Sequence, residues 1–149
     1  MGRKVLIIAI ALLVIAATSS FALGMGLAFG LDPLGDMPAN VLFSVKFDQL
    51  PFLMGLGFNF EGPFRFAMTA DWWLVQQPLA GAIEVYAGPG FFAGITSDDL
   101  DIGLRIPLGL SIYPIAPLEL FVEIAPAIRF MPVFPDPGLQ SAFGFRFWF

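Results

Sequence analysis

Phe143-Gly-Phe-Arg-Phe-Trp-Phe149 ends the chain. Phenylalanine occupies every second position, and Gly144, Arg146 and Trp148 fill the places between. On the edge of a soluble sheet, a row of four exposed phenylalanines would be an aggregation site. A strand that turns the phenylalanines to lipid and the alternate residues to a polar interior carries no such liability. That two-sided pattern is what a transmembrane β-barrel strand requires.

The other end of the chain predicts export. Arg3 and Lys4 form a short basic region, residues 5–17 are apolar without interruption, and Thr18-Ser-Ser-Phe-Ala22 supplies small residues. This is the order of a cleavable secretory signal, with Ser20 and Ala22 in the A-x-A-like positions. An apolar run of that length spans only about 20 Å as a helix, too little for roughly 30 Å of hydrocarbon. Cleavage after Ala22 of the 149-residue chain leaves residues 23–149, 127 in all, the size of one domain.

The composition narrows the class of that domain. Over the whole chain 58% of residues are hydrophobic, 13% are charged and 18 are Phe. Yet beyond residue 22 no stretch approaches the roughly 20 apolar residues of a membrane helix. A closed barrel is the other structure that satisfies its backbone in lipid. A soluble barrel would need polar residues where this chain carries outward Phe, Leu and Ile. Cysteine is absent, so no disulfide framework supports the fold.

Read for a period of two, the chain divides into eight segments: residues 24–31, 41–48, 52–60, 64–72, 82–92, 102–112, 118–129 and 139–149. The turn residues between them are Asp32-Pro33, 49–51, Glu61-Gly62-Pro63, Gln76-Gln77-Pro78, 97–99, Tyr113-Pro114 and Pro135-Asp-Pro-Gly138. The pattern predicts an all-β fold, an eight-stranded antiparallel up-and-down transmembrane barrel, the smallest size that single-chain bacterial barrels use. Pro89, Pro107 and Pro126 fall inside strands and are expected to mark bulges or bends.

The alternation then sorts the charges. Lys46, Arg65, Arg105, Arg129 and Arg146 face inward, as do Asp48, Asp71, Glu84, Glu119 and Glu123. Five basic groups against five acids predict ion pairs that fill the lumen of so small a barrel, because burying unpaired charge is expensive. A narrow pore or carrier for small or apolar solutes is the alternative, given the apolar inward residues Leu42, Leu53 and Phe121. With both termini periplasmic, the other acids (Asp32, Asp36, Glu61, Asp98, Asp99, Asp101 and Asp136) all fall in connections outside the cell. Asp98, Asp99 and Asp101 form the candidate surface for a cation, since carboxylates are hard ligands, although no EF-hand-like loop surrounds them and no metal site is assigned. Trp72, Trp73, Tyr113 and Trp148 fall at the periplasmic ends of strands, as an interfacial aromatic girdle would.

Histidine and cysteine are both missing from the chain, which removes Ser–His and Cys–His nucleophile pairs and the usual zinc sites. Carboxylate pairs such as Glu119 and Glu123 lie on one strand face beside several arginines, where ion pairing is the plainer role. Gly24-x-Gly26 and Gly55-x-Gly57 sit on strands as inward small residues rather than in phosphate loops. No basic patch suggests nucleic acid. The expectation is therefore a protein without catalysis and without a cofactor, whose partners are outer-membrane lipids.

Several stretches together resemble a known family: Asp71-Trp-Trp-Leu74, Gly88-Pro-Gly90, Arg105-Ile-Pro-Leu-Gly-Leu110, Pro117-Leu-Glu-Leu-Phe-Val-Glu-Ile-Ala-Pro126 and the closing Phe143-to-Phe149 strand. They look like the small outer-membrane β-barrel proteins of spirochaetes, a family with an eight-stranded barrel and no assigned biochemical activity. The resemblance runs from about Asp71 onward. It implies a location in the outer membrane. Phe149 resembles the terminal aromatic by which the barrel-assembly machinery recognises such chains.

Overall fold

The computed structural model describes residues 22–31, 39–59 and 64–149. Residues 1–21 of the expected signal segment lie outside them, as do Asp32, Asp36, Phe60 and the turn Glu61-Gly62-Pro63. Among the described residues there is no helix. The strands are β1 (Leu23–Leu31), β2 (Val41–Phe47), β3 (Phe52–Phe58), β4 (Phe66–Trp72), β5 (Val75–Ala80), β6 (Ile83–Ala87), β7 (Gly90–Ile95), β8 (Leu100–Arg105), β9 (Leu108–Ile115), β10 (Leu118–Met131) and β11 (Asp136–Trp148). Three pairs are single strands with a break: β4 runs into β5 past Trp73-Leu74, β6 into β7 past Gly88-Pro89, and β8 into β9 past Ile106-Pro107. The result is eight antiparallel staves, closed where β11 pairs with both β10 and β1. The predicted eight-stranded barrel is the fold.

Register gives the stagger. Gly24 faces Lys46, and the line continues through Leu53, Asp71, Gly90, Arg105, Ala127 and Gly138; yet on β11 the direct partner of Gly24 is Trp148, ten residues further along. Eight strands with that offset tilt by about 40° from the barrel axis and enclose a radius of about 8 Å, which side chains can fill.

The prolines mark a crease rather than a rupture. Trp72 N–H donates to the Pro89 carbonyl at 2.8 Å, Gly88 N–H to Pro107 at 3.3 Å, and Ile106 N–H to Pro126 at 2.9 Å. Each proline lacks a donor but still accepts across the ladder, so the staves stay paired past the breaks at Pro89 and Pro107, and β10 runs unbroken through Pro126. Beside it, residues 72–74 oppose only Gly88-Pro89 between the pairs Asp71↔Gly90 and Val75↔Ala87, which is a bulge.

That bulge corrects one expected turn. Gln76-Gln77-Pro78 lies within β5, and the chain reverses at Gly81, whose φ is 57°. Gln76 is tied into the strand by its side-chain amide, which accepts from Lys46 Nζ at 3.2 Å and donates to Glu84 Oε2 at 2.9 Å. Likewise Tyr113-Pro114 belongs to β9, with the turn at residues 116–117, and β11 already begins at Asp136.

The inward face explains the glycines. Tyr86 pairs with Gly109, Phe92 with Gly103, Phe121 with Gly144, and Trp148 with Gly24. Each large ring lies over the strand position that has no side chain, and a Cβ at Gly109 would overlap the Tyr86 ring. Gly109→Val is therefore expected to destabilise the barrel by about 1–3 kcal/mol, the usual range for overpacking. A lower urea midpoint for the refolded variant checks this; an unchanged midpoint would show that the ring can move aside. The outward face is predominantly apolar, with Gln77 and Ser141 as polar exceptions. Leu104, Ile106, Leu108, Leu110 and Ile112, and likewise Leu120, Val122 and Ile124, are exposed, while the residues between them are mostly buried.

Candidate functional site: the charged lumen

The inward charges form three tiers along the barrel axis. At the mouth opposite the termini, Asp101 lies between Arg65 (3.4 Å) and Arg129 (3.8 Å), and Arg129 donates to Asp136 at 2.7 Å. Arg129 and Asp136 are direct register partners on β10 and β11. Asp101 is buried, but Arg65, Arg129 and Asp136 are only partly so, and this tier faces the solvent at the mouth.

The middle tier is centred on Arg105, a side chain only 5% exposed. Its Nε donates to Asp71 Oδ1 at 2.9 Å, its Nη2 to Asp71 Oδ2 at 3.2 Å and to Glu123, and its Nη1 to Gln140 Oε1 at 2.9 Å. Tyr86 donates its hydroxyl to Glu123 Oε2 at 2.9 Å. One guanidinium thus joins β4, β8, β10 and β11. Its route to Asp71 passes over Gly90, which stands between them in register; a Cβ there would overlap the Asp71 carboxylate. Gly90 is the residue that lets the pair form.

Nearest the termini, Arg146 and Glu119 are cross-strand partners, both wholly buried, with Nη1 to Oε1 at 2.6 Å. Arg146 Nε also donates to Ser44 Oγ at 2.8 Å, and Trp148 Nε1 donates to Glu119 Oε2 at 2.9 Å. The guanidinium lies 3.9 Å from the Phe121 ring centroid. Lys46 Nζ stands 3.9 Å over the Trp73 ring, which itself stacks on Tyr86 with centroids 3.6 Å apart. Such cation–π placement compensates a buried ammonium where water is excluded.

Between the lower two tiers a cavity of about 30 Å³ remains, bordered by Ser44, Thr69, Asp71, Arg105, Glu123 and Arg146. That is room for a water or two, not for a solute.

The structure places the sequence-selected residues unevenly. Lys46, Arg65, Asp71, Glu84, Arg105, Glu119, Glu123, Arg129 and Arg146 contribute to the tiers or, for Glu84, to the mouth beside Gln76. Asp48 does not: it lies exposed in the bend after β2, where its N–H donates to the Ala22 carbonyl at 3.0 Å, because the strand has ended and alternation no longer applies. Asp101 separates from its loop neighbours, being an inward residue of β8 held by two arginines. Asp98 and Asp99 stay exposed in a turn closed by Thr96 and Ser97, and among the described residues no acidic cluster suited to a metal forms.

The girdle also needs correcting. Trp72 faces outward, whereas Trp73 is 2% exposed inside and Trp148 turns its indole onto Glu119. Tyr113 shares the inward parity of Gly109 and Ser111 and is half-buried. Gln140 and Tyr86, which complete the middle tier, were not selected; their positions in step with Ala142, Arg146 and Glu84 were the available signal.

The chain matches no family model, no curated protein and no solved structure. The function must be read from the barrel itself.

Proposed function

We propose that this chain is a small integral outer-membrane β-barrel with both termini in the periplasm, of the kind the spirochaetal resemblance implies. Its lumen is a plug rather than a pore, and it works as a structural or surface-contact protein without catalysis. One observation carries the reading: every stave turns apolar side chains outward, while the charged side chains on the described strands point inward and pair across the lumen. In water such an outer face would be one continuous apolar patch; in a bilayer it is the required lipid contact. Phe149 supports recognition by the assembly machinery, since it is exposed and closes the barrel through hydrogen bonds with Leu23 at 3.1 and 3.0 Å. Ser44 is engaged by Arg146, and the chain has no histidine to act as a base for a serine nucleophile.

Refolding into phosphatidylcholine vesicles tests the reading. The protein is expected to insert, to migrate faster on a gel unheated than boiled, and to give no steady current in planar bilayers. Steady single-channel currents would replace the plug with the narrow-pore alternative. Protease added to intact cells is expected to cut at Asp98-Asp99 and to spare the turn at residues 116–117; the reverse pattern would invert the topology.

A further inference from the structure

Among the described residues, β5 pairs with β6 on one side and stands at the end of the sheet order, without a second neighbour. The stave that would lie beside it, β3, does not reach that far. Its ladder with β4 ends at Phe52↔Trp72, Trp73 N–H donates to the Pro51 carbonyl at 2.7 Å, and the chain then turns through residues 48–51 into β2. The far edge of β5 is therefore left open, at the rim where Leu23 and Phe149 lie. All six β5 residues are exposed, and apart from the outward Gln77 the outer surface there is apolar: Leu74 is 67%, Leu79 63% and Ile115 65% exposed. Pro78 is itself a residue that sheets tolerate mainly at edges.

An open edge flanked by apolar side chains is unfavourable in either solvent. In hydrocarbon its backbone groups have no water to bond; in water it is a template for another strand. The geometry points to β5 as the acceptor for an extended segment of another protein, added as a strand on the periplasmic side. The register fixes the chemistry of that segment. Its outward residues beside Val75 and Leu79 are apolar, the one beside the outward Gln77 accommodates a polar group, and its inward residue next to Gln76 is polar, because Lys46 and Glu84 meet there.

The choice of another protein over a second copy rests on the membrane reading. Copies inserted in the same direction are related by an axis along the bilayer normal. Two β5 edges can form an antiparallel ladder only about an axis perpendicular to the sheet, which would leave one barrel upside down.

The test titrates residues 23–149, refolded in detergent and separately in phosphatidylcholine vesicles, with a fluorescent acetyl-Thr-Val-Thr-Val-Thr-Val-Thr-amide peptide. Saturable binding is expected, with at least tenfold slower hydrogen exchange of the β5 amides on the open edge. Successive N–H groups of a strand point to opposite edges, so one of Gln76→Pro and Gln77→Pro is expected to weaken binding at least tenfold and the other to loosen the β6 ladder instead. The inference is overturned by absent binding, by two proline variants that bind like the parent, or by sedimenting dimers whose β5 amides are protected without peptide. Binding in detergent by a protein that fails to enter vesicles would sink the membrane reading, and with it the case against a second copy, but not the open edge. Insertion without peptide binding would sink the edge alone.

Discussion

Arg105→Ala is expected to destabilise the refolded barrel by about 3–5 kcal/mol, the range for breaking a buried ion pair from one side, and to open the lumen to ions. The first effect follows from what the guanidinium holds. Asp71 is wholly buried and Glu123 nearly so, and both bond to Arg105. Without it, two carboxylates and the Gln140 carbonyl oxygen lose a shared donor in a water-poor interior. The second effect follows from position. Arg105 borders the central cavity, so truncation joins that 30 Å³ space to the volume vacated by the side chain. The remaining acids would favour cations. Urea unfolding followed by tryptophan fluorescence measures the first effect, and reversal potentials under a salt gradient measure the second. Arg105→Lys separates charge from geometry: a single ammonium cannot serve three acceptors in the planar fork that guanidinium offers, so it is expected to recover only part of the stability. A silent Arg105→Ala in both measurements would show that the tier is not what closes the barrel.

How far the sequence could be read follows from the same side chains. Strict alternation is a local signal, and wherever it persists, as from Ile102 to Ile112 or Phe143 to Phe149, the strand and the direction of its residues are legible. Arg105, Glu119, Glu123 and Arg146 could be assigned to one interior for that reason. Which carboxylate meets which arginine could not, because Glu119–Arg146 and Arg129–Asp136 depend on the exact β10–β11 register and the Arg105–Asp71 bridge skips a whole stave. Gly90 illustrates this: its spacing within Gly88-Pro-Gly90 says nothing about a bridge between Arg105 and Asp71 that passes above it. The bulge at residues 72–74 hid the length of the fourth stave by interrupting the alternation, and two glutamines before a proline looked like a turn. The girdle failed for the opposite reason. Trp73, Tyr113 and Trp148 already had inward parity, and grouping them by aromatic character and end-of-strand position set that parity aside.

Glu119 and Arg146 supply the second large effect and a sharper question, whether the pair stabilises the barrel or merely fits it. Both side chains are wholly buried and directly opposed on β10 and β11, next to the seam where β11 meets β1. Glu119→Leu leaves the guanidinium with Ser44 and the Phe121 and Trp73 rings, and removes the acceptor of the Trp148 indole. Arg146→Met leaves the carboxylate with the Trp148 donor alone of these contacts. Each single change is expected to cost about 3–5 kcal/mol, because it strands a buried charge. The double variant removes both charges and fills the space with carbon. It is expected to regain most of the loss, since desolvating two ions offsets much of their attraction. A thermodynamic cycle from urea unfolding of the four proteins reads the coupling. If the double variant is clearly less stable than the parent, the pair is worth more than a well-packed apolar replacement, whereas losses that simply add would show no coupling between the two charges. The final strand would then owe its place in the closed barrel to Arg146 as much as to its row of phenylalanines.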